Sequence, residues 1–245
     1  MGGGRKRSPP FLLGNRVKPE LRRFGTSESP VVVIDDFSGD CEAVARIADA
    51  LAPFPRVSER SYYPGVRRLI GRGDVEADAY VERACRNAAQ FIAGAFDVEG
   101  FDLVEASFSI VSSQPTDLQP AQRAPHFDST DQKYYALLHY LRVPDGTGTA
   151  FYRQRKTGIE RVTDKNVDTF VTGARTAEFR QSAGAGYIVD SNDSYEQIGA
   201  VEALPDRLLI YQGSLLHSGI IPQGMVLSDD PRRGRLTANL FVRGH

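Results

Sequence analysis

The sequence predicts a mainly β domain supported by N-terminal helices, an α+β chain whose strands build a two-sheet barrel or jelly roll. Three observations predict it. Apolar residues at helical spacing fall within the first hundred positions, and from Phe101 onward the period becomes that of strands. The later apolar segments are short and punctuated by Gly, Pro, Asp and Asn, as in Pro144-Asp145-Gly146 and Pro205-Asp206. A chain of 245 residues, 41% of them hydrophobic, can bury one sizeable core but not several large ones.

Taken in order, residues 1–30 are expected to be an N-terminal tail, partly disordered, and residues 31–245 a single domain. Met1–Pro10 is basic and lacks the apolar stretch of a secretory signal. Val31–Phe37 (VVVIDDF) is a β-branched run and reads as a buried strand. Ser38 or Asp40 can cap a helix over Cys41–Leu51, which Pro53 and Pro55 stop. Arg56–Gly73 reads as loop. Asp74 opens a longer helix to Phe96, with Val75, Ala79, Val81, Ala84, Ala88, Phe91, Ile92 and Ala95 spaced to form one apolar face. Strands are expected over Phe101–Ser112, Tyr134–Val143, Thr149–Tyr152, Gly186–Val189, Gln197–Leu204, Arg207–Gln212 and Arg235–Val242. Between them, Thr163–Arg180 fits either a helix or an ordered lid. Residues 31–100 are thus helical support and 101–243 the strand-built core.

Composition narrows the function. Thirty Lys+Arg against 31 Asp+Glu leave a net charge of −1, which offers no purchase on nucleic acid or an anionic membrane. No apolar run reaches the roughly 20 residues of a membrane span. Cys41 and Cys85 lie apart in the two predicted helices, which argues against a disulfide scaffold or cysteine zinc site and for a reducing, cytoplasmic setting. No GxGxxG or P-loop pattern is present.

Histidine chemistry has four candidates: His126, His139, His217 and His245. On a strand, alternate side chains share a face, so His126 and Asp128 aim an imidazole and a carboxylate at one point while Phe127 turns away. Alone, such a pair is also a common surface feature. The strand Arg207–Gln212 followed by His217 adds a third group, and two histidines with one carboxylate make the facial triad of non-haem Fe(II). The plainer alternative for His217 is a core histidine satisfied by backbone. His139 competes as a ligand, but it alternates out of phase with Leu138 and Tyr140 and faces away if those two face the interior. His245 is expected at the surface. On the Arg235 strand, Arg235 and Thr237 share a face, and a guanidinium with a neighbouring hydroxyl grips a carboxylate; Tyr140 can add its phenol. The plainer reading of Arg235 is an edge-strand arginine.

In this order, His126-x-Asp128, a Tyr140-Leu141 strand, Gly148-Thr149-Ala150-Phe151, His217 and Arg235-x-Thr237 resemble the 2-oxoglutarate/Fe(II)-dependent dioxygenase superfamily, in its prolyl-4-hydroxylase-like branch. The resemblance covers residues 101–243 and implies a double-stranded β-helix, the jelly-roll or cupin-like fold. More narrowly, Gln122–Ser129, Asp206–Gly219 and Tyr63-Pro64-Gly65-Val66-Arg67 resemble an uncharacterised bacterial oxygenase-like family. The resemblance implies iron ligands His126, Asp128 and His217, and 2-oxoglutarate held by Arg235 with help from Thr237 and Tyr140. The cofactors implied are Fe(II), 2-oxoglutarate and O2. The substrate would be a small molecule, amino acid or peptidyl side chain, hydroxylated with release of succinate and CO2. Halogenating relatives leave out the carboxylate that Asp128 supplies, so its presence favours hydroxylation.

The 18 residues from His217 to Arg235 exceed the family spacing because Pro222–Gly234 reads as an inserted loop, which keeps Arg232 and Arg233 open as anchors. The tyrosine that many relatives place before the HxD strand has no counterpart there. Tyr62, Tyr63, Arg67, Tyr152, Arg153 and Arg155 are candidates for the cavity mouth. Two other readings remain at this point: a non-catalytic jelly-roll binding protein, and a cupin-like metal enzyme that does not use 2-oxoglutarate.

Overall fold

A computed structural model describes residues 19–57, 62–178 and 186–245. The backbone forms two antiparallel sheets and three α-helices among the described residues. The larger sheet begins with β1 (Pro19–Phe24) and β2 (Ser29–Ile34). It continues through β3 (Gly65–Leu69), β4 (Phe101–Val111), β5 (Tyr134–Arg142), β8 (Leu208–Gln212) and β10 (Arg235–Gly244), in the spatial order β1-β2-β8-β5-β10-β4-β3. The smaller sheet is β7-β6-β9, from β6 (Gly148–Gln154), β7 (Tyr195–Glu202) and β9 (His217–Ile220).

Strand alternation gives the large sheet two different faces. On one, Ile34, Leu137, Ile210, Phe108, Leu236 and Leu240 pack against the helices α1 (Cys41–Ala50) and α2 (Val75–Phe96). On the other, Val31, Val33, Ala136, Tyr140, Leu209 and Tyr211 meet Phe151 and Val201 of the small sheet. The far side of the small sheet, with Ala150, Tyr152 and Leu216, is covered by Val162, Ile188 and Phe170 of α3 (Val167–Glu178). The predicted helices stand where their signals put them: the Asp40 carboxylate accepts from Ala43 N–H at 3.0 Å as N-cap of α1, and Asp74 precedes α2.

Three expectations need correction, and one left open is decided. The ordered chain begins before residue 31: β1 pairs with β2 from Pro19↔Ile34 to Phe24↔Ser29, so residues 19–30 are not tail, while residues 1–18 lie outside those described. A strand of sequence PELRRF is an edge strand whose polar residues hide its period. Likewise the Arg56–Gly73 loop contains β3, a short charged edge strand anchored by buried Val66. Gly65 is required there, because a Cβ would come within 2.0 Å of the Ile110 carbonyl oxygen. Gly186–Val189 forms no ladder; it only lays Ile188 into the core, something a four-residue apolar run cannot distinguish from a strand. Of Thr163–Arg180, Val167–Glu178 is helix α3, and residues 179–180 lie outside those described.

The hairpin of β1 and β2 is clamped by Glu160. Its buried carboxylate accepts from the backbone N–H and hydroxyl of Thr26 (3.0 Å each), the N–H and hydroxyl of Ser27 (2.9 and 2.5 Å), and Arg153 Nε (2.8 Å). Burial alone would raise its pKa, but these donors outweigh burial and bring it down to about 2. A lowered folded-state value contributes stability that is full above the unfolded pKa near 4.5 and is lost as pH falls toward 2. Glu160→Gln should therefore cost about 2 kcal/mol at neutral pH. In thermal melts between pH 5 and pH 2, its Tm should fall less steeply than that of the wild type.

Candidate metal centre

The centre is built where two connections meet. After β8 the chain turns through Gly213–Leu216 and re-enters as β9 at His217, so this histidine opens a strand instead of trailing one. The segment before β5 lies beside it. His126 N–H donates to His217 C=O and His217 N–H to His126 C=O, both at 2.9 Å, an antiparallel bridge that puts the two imidazoles on one side. Asp128 N–H then donates to Gly213 C=O at 2.7 Å. Gly213 leaves the room this needs: a Cβ there would meet the Tyr134 ring at 2.8 Å and Asp128 Cβ at 3.2 Å. The HxD segment is thus a single bridge and not a full strand, yet its alternation holds: Phe127 turns away to meet Phe170, with ring centroids 5.7 Å apart.

One ligand atom from each of His126, Asp128 and His217 lies within 4.8 Å of the others. His126 Nε2 is 4.0 Å from Asp128 Oδ1, and His217 Nε2 is 3.7 Å from Asp128 Oδ2. The Nδ1 of His217 sits 2.8 Å from the Leu215 carbonyl, so its proton resides there and the Nε2 lone pair faces the centre. Among the described residues, the buried Oδ2 of Asp128 has no hydrogen-bond partner. Burial pushes the Asp128 carboxyl up, opposed by His217 and Arg67. Burial, with His217 beside it, holds the His126 imidazole well below its usual pKa. Two nitrogen lone pairs and an unpartnered carboxylate oxygen, all acceptors, converge without a donor among them. Such a set is suited to a divalent transition-metal ion.

Arg235, the first residue of β10, is 4% exposed. Its Nη2 donates to Gly148 C=O at 3.2 Å, its guanidinium lies 5.4 Å over the Tyr140 ring, and among the described residues its buried Nε has no acceptor. The Tyr140 hydroxyl is 2.7 Å from Thr149 Oγ1, and Thr237 Oγ1 reaches the Ser109 carbonyl at 3.5 Å. Arg232 and Arg233, open as alternatives on spacing alone, are both exposed. His139 faces the helices: its Nδ1 is 2.8 Å from the Tyr80 hydroxyl and its Nε2 2.8 Å from Asp206 Oδ1, as its phase relative to Tyr140 requires. His245 is at the surface beside Asp102.

The proposed mouth residues separate. Tyr62 is exposed, Tyr152 is buried in the core under α3, Arg153 is held by Glu160 and Glu196, and Arg155 donates to the Asn192 carbonyl. The Tyr63 hydroxyl is buried near Ser109, with Arg235 and Arg67 in electrostatic reach. Tyr211, unassigned on sequence, stacks edge-on to His217 at 4.9 Å and feels both Asp128 and Arg235. Its register opposite Ala136 puts it on the Tyr140 face.

A sequence profile described as "Family of unknown function (DUF6445)" matches residues 15–242. No curated protein matches at a significant level. Among solved structures, the non-heme alpha ketoglutarate dependent epimerase SnoN from nogalamycin biosynthesis is similar with TM-score 0.52 at 13% identity, over 88% of this chain and 79% of its own. SnoN in complex with Fe3+, alpha ketoglutarate and nogalamycin RO gives 0.51 at 14% identity over 88% and 79%. HygX from Streptomyces hygroscopicus with iron bound gives 0.49 at 13% identity, over 88% of this chain and 82% of its own. The likeness is one of fold.

A depressed folded-state histidine pKa lowers stability as pH falls below about 6.5, because the unfolded chain takes up a proton the folded chain resists. In the metal-free protein, NMR titration of the His126 ring should accordingly show no inflection between pH 6 and 8.

Proposed function

The chain belongs to DUF6445, and we propose that it is a non-haem Fe(II)- and 2-oxoglutarate-dependent oxygenase with a double-stranded β-helix core, on the prolyl-4-hydroxylase-like branch. The observation that carries this reading is the pairing of two unsatisfied buried groups of opposite character. One is the Asp128 oxygen between two imidazole lone pairs; the other is the Arg235 Nε on the neighbouring sheet face. An acceptor cluster without a cation and a buried guanidinium without an anion each lack a partner, and a metal ion with a dicarboxylate supplies both.

His126, Asp128 and His217 would hold the metal through two imidazoles and one carboxylate. Leu215 C=O fixes the His217 tautomer, and the bridge to His126 sets the angle between the rings. Arg235 would pair with the distal carboxylate of 2-oxoglutarate, with the Thr237 and Tyr140 hydroxyls assisting. Tyr211, Phe151 and Leu215 form an apolar wall near His217 that keeps water from the reacting centre. When bound, Fe(II) with 2-oxoglutarate and O2 supplies an oxidation that releases succinate and CO2 and hydroxylates an amino acid, peptide or small molecule. Asp128 keeps a carboxylate where a halogenating site would need an open position, which supports hydroxylation.

The test is 2-oxoglutarate turnover to succinate with and without added Fe(II). His126→Ala, Asp128→Ala and His217→Ala should each lower it by at least about 100-fold, and Arg235→Ala should raise the KM for 2-oxoglutarate by about 10- to 100-fold. Full activity in the triad variants contradicts the ligand assignment. Metal-dependent chemistry indifferent to Arg235 would instead favour a cupin-like enzyme without 2-oxoglutarate, and binding without turnover a non-catalytic jelly-roll protein.

A further inference from the structure

The face of the large sheet that carries the triad side changes character across its width. On β2, β8 and β5 it is apolar and covered by the small sheet. On β10, β4 and β3 it carries Thr237, Asn239, Ser107, Ser109, Glu105 and Arg67 in adjoining registers. Arg235 and Thr237 account for part of this polar half; Arg67 and its neighbours have no role in the reading above.

Arg67 is held firmly. Gly65 lets β3 lie against the Ile110 carbonyl, Pro64 C=O accepts from Ser112 and Ser113 N–H, and Arg67 N–H donates to Pro55 C=O at 3.0 Å. Its side chain is fixed at two points: Nε donates to Ser107 Oγ at 2.9 Å and Nη2 to Glu105 Oε1 at 2.6 Å. Among the described residues nothing accepts from Nη1. The guanidinium stands 5.6 Å over Phe241, Phe241 stacks on Tyr134 at 5.5 Å, and Tyr134 and Asp128 both lie against Gly213. Two stacked rings therefore extend from Arg67 toward the triad, and the charge of Arg67 is felt at Asp128.

We propose that Arg67 is the specificity-determining residue of the site and binds a carboxylate of the substrate to be oxidised, with Glu105 and Ser107 orienting its guanidinium. This rests on the oxygenase reading. The sheet face then offers a separate guanidinium to each of the two acids. Arg235, almost fully buried, serves the cosubstrate; Arg67, with its side chain 24% exposed, serves the exchanging substrate. A planar fork held through Nε and Nη2 still presents Nη1, which suits an acid and discriminates against its neutral amide. A substrate anchored there lies along Phe241 and Tyr134 with its far end toward the metal ligands.

The test uses full-length protein loaded anaerobically with Fe(II) and 2-oxoglutarate. It is titrated by calorimetry and thermal shift with free and N-acetylated L-amino acids, each beside its C-terminal amide. At least one acid should bind the wild type 10-fold or more tighter than its amide. Arg67→Ala and the length-preserving Arg67→Gln should erase that preference, and Arg67→Lys should keep part of it. A merely structural Arg67 would lower Tm while leaving the acid-to-amide ratio unchanged, which overturns the proposal. So does the absence of any acid preference in the wild type. Failure of the wild type to bind 2-oxoglutarate overturns this and the oxygenase reading together; 2-oxoglutarate binding without acid preference overturns this one alone.

Discussion

The reciprocal backbone pairing of His126 with His217 is the constraint on which the rest of the site depends. Two hydrogen bonds of 2.9 Å tie together residues 91 positions apart, and with Asp128 N–H on Gly213 C=O they lock a loop to the start of β9. A paired bridge in antiparallel geometry directs both side chains to the same side, so the convergence of two imidazoles follows from main-chain bonding alone. The carboxylate arrives by simple alternation two residues later. Nothing in the side chains themselves would hold this group together: three acceptors repel or ignore one another until a cation joins them. The fold thus supplies the energy that keeps the site preorganised, and it does so through backbone hydrogen bonds that the ligands' own chemistry does not perturb.

The large sheet shows how one element serves two purposes. Its helix-facing side is apolar at its centre, where His139 has both ring nitrogens occupied by Tyr80 and Asp206. The opposite side grades from apolar under the small sheet to polar at β10, β4 and β3. Because adjacent residues on a strand take opposite faces, His139 and Tyr140 are neighbours in sequence with unrelated tasks. One closes a buried network that also receives Ser38 and Gly39 at the start of α1; the other stacks under Arg235.

Much of this was legible beforehand, for identifiable reasons. α1 and α2 carried caps and a 3.6-residue period, and β4, β5, β8 and β10 carried runs of β-branched and aromatic residues. The triad was legible because alternation joins His126 to Asp128 and a buried strand precedes His217. The phase of His139 was legible by the same rule. What escaped were the edges. β1 and β3 are short and charged, since an exposed sheet edge is best protected by such residues, and that protection removes the pattern by which strands are recognised. Spacing is also blind to burial: it does not show that Arg235 is buried in the sheet while Arg232 and Arg233 lie in solvent. Tyr211 was overlooked because an aromatic inside an apolar strand carries no sign of which face it takes.

The central claim is that three separated side chains form one metal site. It is tested most directly by a crystal structure of the protein grown anaerobically with Fe(II) and 2-oxoglutarate, with the metal located by anomalous scattering. The account predicts a single strong peak about 2.0–2.2 Å from His126 Nε2, His217 Nε2 and an Asp128 oxygen, with the far carboxylate of the acid on Arg235. Metal bound elsewhere, or saturating metal that leaves His126, Asp128 and His217 unligated, would contradict it.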